Sequence, residues 1–336
     1  MTRFSVGVVG CGTIARNVHL PVLLSMPQVQ LAWVADSSTE RAASVGAAFG
    51  IKTATAKSAD ELPECDVVLL AIPVGARVAY WDGLSARGAA VFAEKPFAAT
   101  SREHCRITEL FPPYRLGCGY MRRFYTSTVL LRHLLGRKWF GQLRRIRIAE
   151  GARTTRSGVD YSPLDEGSFC SGGVLAELGC HTLDLALHLT GAQAFAVESC
   201  NLELDGRVDR KVSARVRLKN SSALPEHGVE LDYCASWLDR QENVAELQFE
   251  HVSLWAGLSP NAQVFLGNPT EHSEVVSLAP AGAAGASTSN QAFYLEWDAF
   301  LKGLEAGRES QVSANSARLT TALVEQMYEK GGGGNA

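Results

Sequence analysis

The segment Phe4–Ala15 reads FSVGVVGCGTIA, and the architecture of the chain follows from it. Phe4–Val9 is a short apolar run, and Gly10-Cys11-Gly12-Thr13-Ile14-Ala15 follows at once. G-x-G-x-x-A carries meaning only between a strand and a helix, which is its context here. Gly10 allows a tight turn, Gly12 lets backbone approach a pyrophosphate, and the small Ala15 lets helix pack on strand. A phosphate then meets free N–H groups at a helix N-terminus, where the dipole also favours an anion. Gly10, Gly12, Thr13, Ile14 and Ala15 are therefore candidate cofactor-binding residues. A second strand, Val29–Ala35, ends at Asp36, 24 residues after Gly12. A carboxylate there accepts from ribose hydroxyls and repels a 2′-phosphate, so NAD is expected, while Arg41 keeps NADP open. The bland alternative for Asp36 is a cap on a helix starting near Ser38.

The alternation of strand and helix continues. Asp66–Ile72 reads as a buried parallel strand ending at Pro73, followed by a helix around Ala76–Ala86. Ala89–Ala93 is the next strand and ends in Glu94-Lys95-Pro96. Ligands of open α/β sheets bind outside the carboxyl ends of the strands, which brings Lys95 to the cofactor crevice. The following proline biases its backbone towards an extended form. A surface lysine on a loop is the ordinary alternative. A last strand, Tyr114–Tyr120, precedes Met121-Arg122-Arg123-Phe124, near which the first domain closes.

The pattern then changes. Tyr125–Leu135 reads as a helix and Gln142–Ala149 as a strand. Gly151–Ser171 is a polar, Gly- and Ser-rich loop with Arg153, Arg156, Tyr161 and Asp165, long enough to be read as a substrate loop. It runs into SGGVLAELGCHTLDLALH, Ser171–His188. As a helix, this stretch confines Glu177, His181, Asp184 and His188 to an arc of roughly 60°. Leu178, Thr182, Leu185 and Leu189 form the adjoining stripe. A polar stripe of this kind is either a buried hydrogen-bonded seam or an active-site face. Zinc is disfavoured, because four ligands on one straight helix cannot surround an ion tetrahedrally. Beyond it, Lys211–Leu218, Val229–Trp237 and Ala245–Phe249 alternate with period two. With no long helices between them they predict a mostly antiparallel sheet with one face free, a candidate dimer surface. Ala279–Thr288 reads as a mobile connection. Gln291–Ala306 and Ser313–Glu329 are closing helices.

At 336 residues, with 46% hydrophobic and 20% charged content, the chain suits two globular domains. A net charge of −3 gives no electrostatic case for nucleic acid or an anionic membrane. The eight cysteines show no C-x-x-C pair, no zinc-ligand spacing and no sign of a disulfide framework. No apolar run approaches the roughly 18 residues of a membrane span, and no signal segment opens the chain. A cytoplasmic protein is expected.

Taken in order, the Gly10–Ala15 turn, Glu94-Lys95-Pro96, Arg122-Arg123-Phe124 and the Gly-Gly…Gly-x-His-x-x-Asp run ending at Asp184 resemble the glucose–fructose oxidoreductase, inositol dehydrogenase and MocA family. The resemblance implies an α/β fold: an N-terminal Rossmann doubly wound parallel sheet plus a C-terminal α/β domain with an open, mostly antiparallel sheet. It implies an NAD(P)-binding domain at 1–123, a substrate-binding and oligomerisation domain at 124–290, and helices at 291–330 packing back on the first. It also implies an NAD(P)-dependent enzyme, a homodimer or homotetramer through the C-terminal sheet, acting on a small hydroxylated substrate. Lys95 corresponds to the family lysine that contacts nicotinamide ribose and substrate hydroxyl, and His181 to the catalytic histidine. Pro73 and Glu94 join the expected cofactor set, and Tyr120, Arg123, Tyr161, Glu177 and His181 the substrate set. Glu177 replaces the usual Asp, Met121 a common Asn, and Val74 and Arg77 the usual Asn and His.

The expected chemistry is reversible hydride transfer between nicotinamide C4 and a secondary alcohol or ketone carbon of a sugar, polyol or derivative. His181 is the expected acid/base, since imidazole titrates at about 6.5, and Lys95 polarises the reacting oxygen. Glu177 either binds a neighbouring hydroxyl or orients the imidazole. Asp184 either fixes the imidazole tautomer or makes a structural hydrogen bond, and His188 is expected to be a satisfied buried histidine. The alternatives are an imine or cyclic-intermediate reductase, an NAD-dependent glycoside hydrolase, and a non-catalytic cofactor-binding sensor.

Overall fold

The computed structural model describes residues 3–55, 58–153, 173–206, 208–267, 276–278 and 285–332. Arg156, Tyr161 and Asp165 of the expected substrate loop lie outside the described residues, as do Ser171 and Gly172. The chain divides into Met1–Tyr120 with Phe293–Arg318, and Met121–Ala292 with Leu319–Ala336.

The first unit holds six parallel strands: β1 Phe4–Val9, β2 Val29–Asp36, β3 Lys52–Thr55, β4 Val67–Leu70, β5 Ala90–Ala93 and β6 Leu116–Cys118. Their order is β3-β2-β1-β4-β5-β6, all neighbours pairing parallel. The central strands VVLL and AVFA are buried at every position, as a sheet covered on both faces requires. Strand order reverses at β1, which pairs with both β2 and β4, and the crevice of a doubly wound sheet opens at that switch point. Gly10, Asp36, Ala71 and Glu94 directly follow or end the strands at that edge.

Within the same unit, Trp297 stacks on Phe92 at 4.4 Å and Phe300 meets Phe92 edge-on at 5.2 Å. Gly117 leaves room for this: a Cβ there would lie 2.5 Å from Phe92 and 2.8 Å from Phe300. Each buried aromatic contributes about 1.5–3 kcal/mol of transfer free energy.

The second unit holds eight strands: β7 Leu143–Gly151, β8 Ala194–Asp205, β9 Val208–Lys219, β10 Val229–Ser236, β11 Val244–Phe249, β12 Ser253–Gly257, β13 Val264–Gly267 and β14 Val276–Leu278. The order is β14-β13-β12-β11-β7-β10-β9-β8. Among the described strands of this second sheet, β7 and β10 pair parallel and the other neighbours antiparallel. The period-two reading holds: Val212, Val216, Leu218, Leu231 and Ala235 are buried on one face. The opposite face is charged rather than apolar. Arg145 pairs with Asp232, Arg147 with Glu242 at 2.6 Å, and Arg217 with Glu198 at 2.6 Å.

Three segments depart from the sequence reading. Met121–Phe124 groups with the second unit, because Arg122 and Arg123 are ion-paired to Glu150 and Asp184 there. The last helix, Ala314–Gly332, changes unit at Leu319, and its Thr320 and Tyr328 bond to second-unit carboxylates. Gly285–Thr288, read as part of a mobile connection, is tied down: Ala286 N–H donates to Phe124 O at 2.7 Å and its carbonyl accepts from Thr126 N–H at 3.1 Å. The helix starting near Ser38 is capped by the Ser38 hydroxyl, which accepts from Arg41 N–H at 3.2 Å. Among the described residues no helix is long and apolar enough to cross a membrane, and no cluster of three metal-ligating side chains occurs.

Candidate functional site

In the first unit, Gly10 takes φ +100°, a conformation open to glycine alone, and a Cβ there would lie 2.3 Å from Ala71 O. Gly12 has open space where its Cβ would be. Its carbonyl accepts from Arg16 N–H at 2.9 Å, so the helix begins at this turn and presents the N–H groups of Thr13, Ile14 and Ala15. This is the cradle a dinucleotide pyrophosphate needs. Asp36 Oδ2 accepts from Cys11 N–H at 2.8 Å and Oδ1 from Ser38 N–H at 2.9 Å. Arg41, its side chain 56% exposed, lies 3.3 Å from the same carboxylate. Asp36 is thus the tie between loop and strand end, and Arg41 partly neutralises the charge expected to repel a 2′-phosphate.

The helix after this turn widens at Ala15–His19, where Leu20 N–H donates to Ala15 O, five residues back. Pro21, with no N–H to give, follows directly. His19, the last residue of this wide turn, is fully buried.

Half-buried Lys95 follows β5. Glu94 is only 7% exposed, and its carboxylate is engaged by the protein: His19 Nε2 lies 2.7 Å from Oε1 and Lys95 N–H donates to Oε2 at 3.1 Å. Both carboxylate oxygens of Glu94, expected in the cofactor set, thus have partners within the first unit. Arg77 is also buried. It donates from Nε to Ile72 O at 3.0 Å, and from Nη1 to Pro96 O at 2.6 Å and Phe97 O at 3.3 Å. Its guanidinium braces the loops after β4 and β5. Pro73 is exposed at the carboxyl end of β4, and Val74 is buried. Tyr120, expected at the substrate, is 2% exposed and belongs to the core.

In the second unit the helix runs Val174–Thr190, with a wide turn at Leu175–Gly179 where Cys180 N–H reaches back five residues to Leu175 O. Such π-turns recur at functional sites. Glu177 lies in the wide turn and His181 just after it, both half-buried. The four-residue polar stripe is divided. Asp184 is buried and takes a bidentate hydrogen bond from Arg123, through Nε to Oδ2 at 2.8 Å and Nη2 to Oδ1. Thr320 Oγ1 donates to the same Oδ1 at 3.1 Å. Asp184 therefore makes a structural bond, and Arg123, expected among the substrate residues, is its 4% exposed partner. His188 accepts from Arg132 at 3.3 Å, and burial with the Arg123 and Arg132 charges holds its imidazole down to about 2. It is neutral.

The helix start is anchored by Asp209, which no sequence pattern marked. Its Oδ2 accepts from Leu175 N–H at 2.7 Å and Oδ1 from Tyr328 O–H at 2.9 Å. Burial pushes this carboxyl up to about 6, against the lowering effect of those bonds. A folded value above the unfolded one favours the protonated form. Its stabilisation is fully present below pH about 4 and is lost as pH rises through about 6, a span of about 3 kcal/mol. Asp209→Asn cannot titrate. The stability advantage of wild type over Asp209→Asn should shrink by that order between pH 4 and 7 in urea unfolding, and a constant gap would refute the assignment.

Residues 4–114 match the model of an oxidoreductase family with an NAD-binding Rossmann fold, the Gfo/Idh/MocA family. That segment is similar to the NAD-binding domain of this family. The chain is 30% identical over 196 residues to the rhizopine catabolism protein MocA of Rhizobium meliloti, covering 57% of this chain and 59% of that protein. It is 27% identical over 251 residues to a dTDP-3,4-didehydro-2,6-dideoxy-alpha-D-glucose 3-reductase of Streptomyces violaceoruber, covering 69% and 68%. In fold it is similar to the aldose-aldose oxidoreductase of Caulobacter crescentus in complex with glycerol, with TM-score 0.83 at 17% identity over 99% of this chain and 98% of the other. The runs Glu94-Lys95-Pro96 and Gly179–Asp184 thus each contain an acidic residue engaged inside its own unit. The signal for Glu94 was available only through its partners, 75 and 1 residues away.

Proposed function

We propose that the chain is a nicotinamide-dependent oxidoreductase that interconverts a secondary alcohol and a ketone on a sugar, polyol or sugar derivative. The observation that carries this reading is the built turn after β1, with Gly10 at positive φ, Gly12 open and Asp36 bonded to Cys11 N–H. Gly10–Ala15, Asp36, Arg41, Pro73 and Lys95 would hold the dinucleotide, which supplies hydride transfer when bound. Lys95, as an ammonium, polarises the reacting oxygen and stabilises developing negative charge on it. His181 takes or returns the hydroxyl proton, and Glu177, one turn earlier, holds a neighbouring hydroxyl. Tyr161 remains a proposed substrate residue. The sugar-reductase relative supports the substrate class. A homodimer or homotetramer through the charged face of the second sheet completes the proposal. The seven described cysteines are all thiols, which fits a reducing cytoplasm.

The test is binding of NADH and NADPH followed by a screen of sugars and polyols for a change in reduced-nicotinamide absorbance. Binding of neither cofactor would end the proposal, and binding without turnover on any of them would favour the hydrolase, imine-reductase or sensor alternatives. Because Arg41 is exposed beside Asp36, Arg41→Ala should weaken NADPH by roughly tenfold or more and NADH by less than about threefold, the difference made by one charge-assisted bond to a 2′-phosphate. Equal losses for both cofactors in fluorescence titration would remove Arg41 from the ribose site.

A further inference from the structure

We propose that His19 is a positioning residue for Lys95, acting through Glu94, and that Trp297 sets the imidazole tautomer that makes this work. The proposal rests on the role given above to Lys95. His19 is fully buried, with Phe92, Phe293 and Trp297 edge-on around its ring at 6.5, 5.2 and 6.1 Å. Trp297 Nε1–H donates to His19 Nδ1 at 3.0 Å. An indole N–H can only donate, so Nδ1 carries no proton and the ring proton is on Nε2. Nε2–H then donates to Glu94 Oε1 at 2.7 Å.

Glu94 has one oxygen left, and Oε2 accepts from the main-chain N–H of Lys95 at 3.1 Å. Burial would raise the Glu94 carboxyl, yet the His19 bond and the charges of Lys95 and Arg77 lower it, so Glu94 stays ionised. Holding Oε1 fixes the rotation of the carboxylate, hence the place of Oε2, hence the backbone from which the Lys95 side chain departs. On the other side Arg77 holds the carbonyls of Pro96 and Phe97. The turn is pinned before and after Lys95. All these groups lie in the first unit.

A polar chain buried among aromatic rings adds little net stability over an apolar packing, but fully satisfied it fixes orientation. Sequence spacing gives no hint of it, since Trp297 lies 278 residues from His19.

His19→Phe keeps an aromatic ring and removes both bonds. Turnover should fall roughly 10- to 100-fold, the loss that follows misplacement of a reacting group by about an ångström. KM and the NADH dissociation constant should stay near wild type. His19→Gln restores one donor and one acceptor and should return kcat to within about threefold of wild type. Independently of activity, the imidazole 15N spectrum of His19 in the wild-type protein should show a proton on Nε2 and none on Nδ1, and Trp297→Phe should release that preference. Should His19→Phe fail to fold, Trp297→Phe and the spectrum still decide. Wild-type kcat in His19→Phe, a Gln variant as impaired as the Phe variant, or a ring protonated on Nδ1 would overturn the proposal. Lys95→Ala distinguishes the two layers. Full turnover in Lys95→Ala refutes the role of Lys95 and this proposal with it, whereas an inactive Lys95→Ala beside a fully active His19→Phe refutes only the positioning.

Discussion

His181→Ala is expected to lower kcat by roughly two to four orders of magnitude, the usual contribution of a positioned general acid/base. The substitution isolates chemistry from folding. The imidazole is half-buried on a helix, and alanine is the best helix former at such a position. The helix is held by contacts other than His181: its start by Asp209 through Leu175 N–H, and its middle by the Arg123–Asp184 pair. Thr182 adds a hydrogen bond of 2.9 Å to the Tyr233 hydroxyl. Circular dichroism and the NADH dissociation constant should therefore be unchanged. The loss should appear in single-turnover reduction or oxidation of bound nicotinamide, where product release has no part. Turnover within a few-fold of wild type would remove His181 as the acid/base and move the assignment to Glu177.

Asp184→Ala is expected to cost about 3–5 kcal/mol of stability, because it leaves the Arg123 guanidinium buried without its counter-charge. Arg123 and Asp184 are 4% and 2% exposed, so solvent screens little of the interaction. Urea unfolding should show a lower midpoint with an unchanged slope. The pair itself is not a large net stabiliser against an apolar replacement. Arg123→Met combined with Asp184→Leu should recover most of what Asp184→Ala loses. A loss below about 1 kcal/mol in Asp184→Ala would mean that water reaches the guanidinium in the variant. Since Asp184 follows His181 by one helical turn, this variant should also lose activity, but through stability, so that activity at low temperature largely returns.

These two substitutions fall on one sequence run, and the sequence read them as neighbours on a single polar stripe. The structure separates them. His181 remains half-buried, whereas Asp184 and His188 are spent on arginines of other elements. Asp36 and Glu94 follow the same logic: each stands where a strand end puts it, and each has its carboxylate bonded to nearby backbone N–H groups.

What the sequence determined by itself is whatever spacing along the chain encodes. The apolar run before Gly10 and the strands ending at Asp36, Pro73 and Glu94 specify a parallel sheet with its loops at one edge. The period-two alternation of β9, β10 and β11 specifies an antiparallel sheet with one buried face, because side chains alternate across a strand regardless of what the strand meets. The helix start near Ser38 was legible for the same local reason, although the cap is Ser38 itself and not Asp36. Only the tertiary structure decided which polar side chains are available for chemistry. That depends on partners 61 residues away for Asp184 and Arg123, and 75 and 278 residues from His19 for Glu94 and Trp297. His19 and Glu177 each lie in a wide helical turn that no spacing marked. Periodicity says which face of an element is buried. A polar group on that face takes its role from the group it meets there, and the meeting is made by the fold.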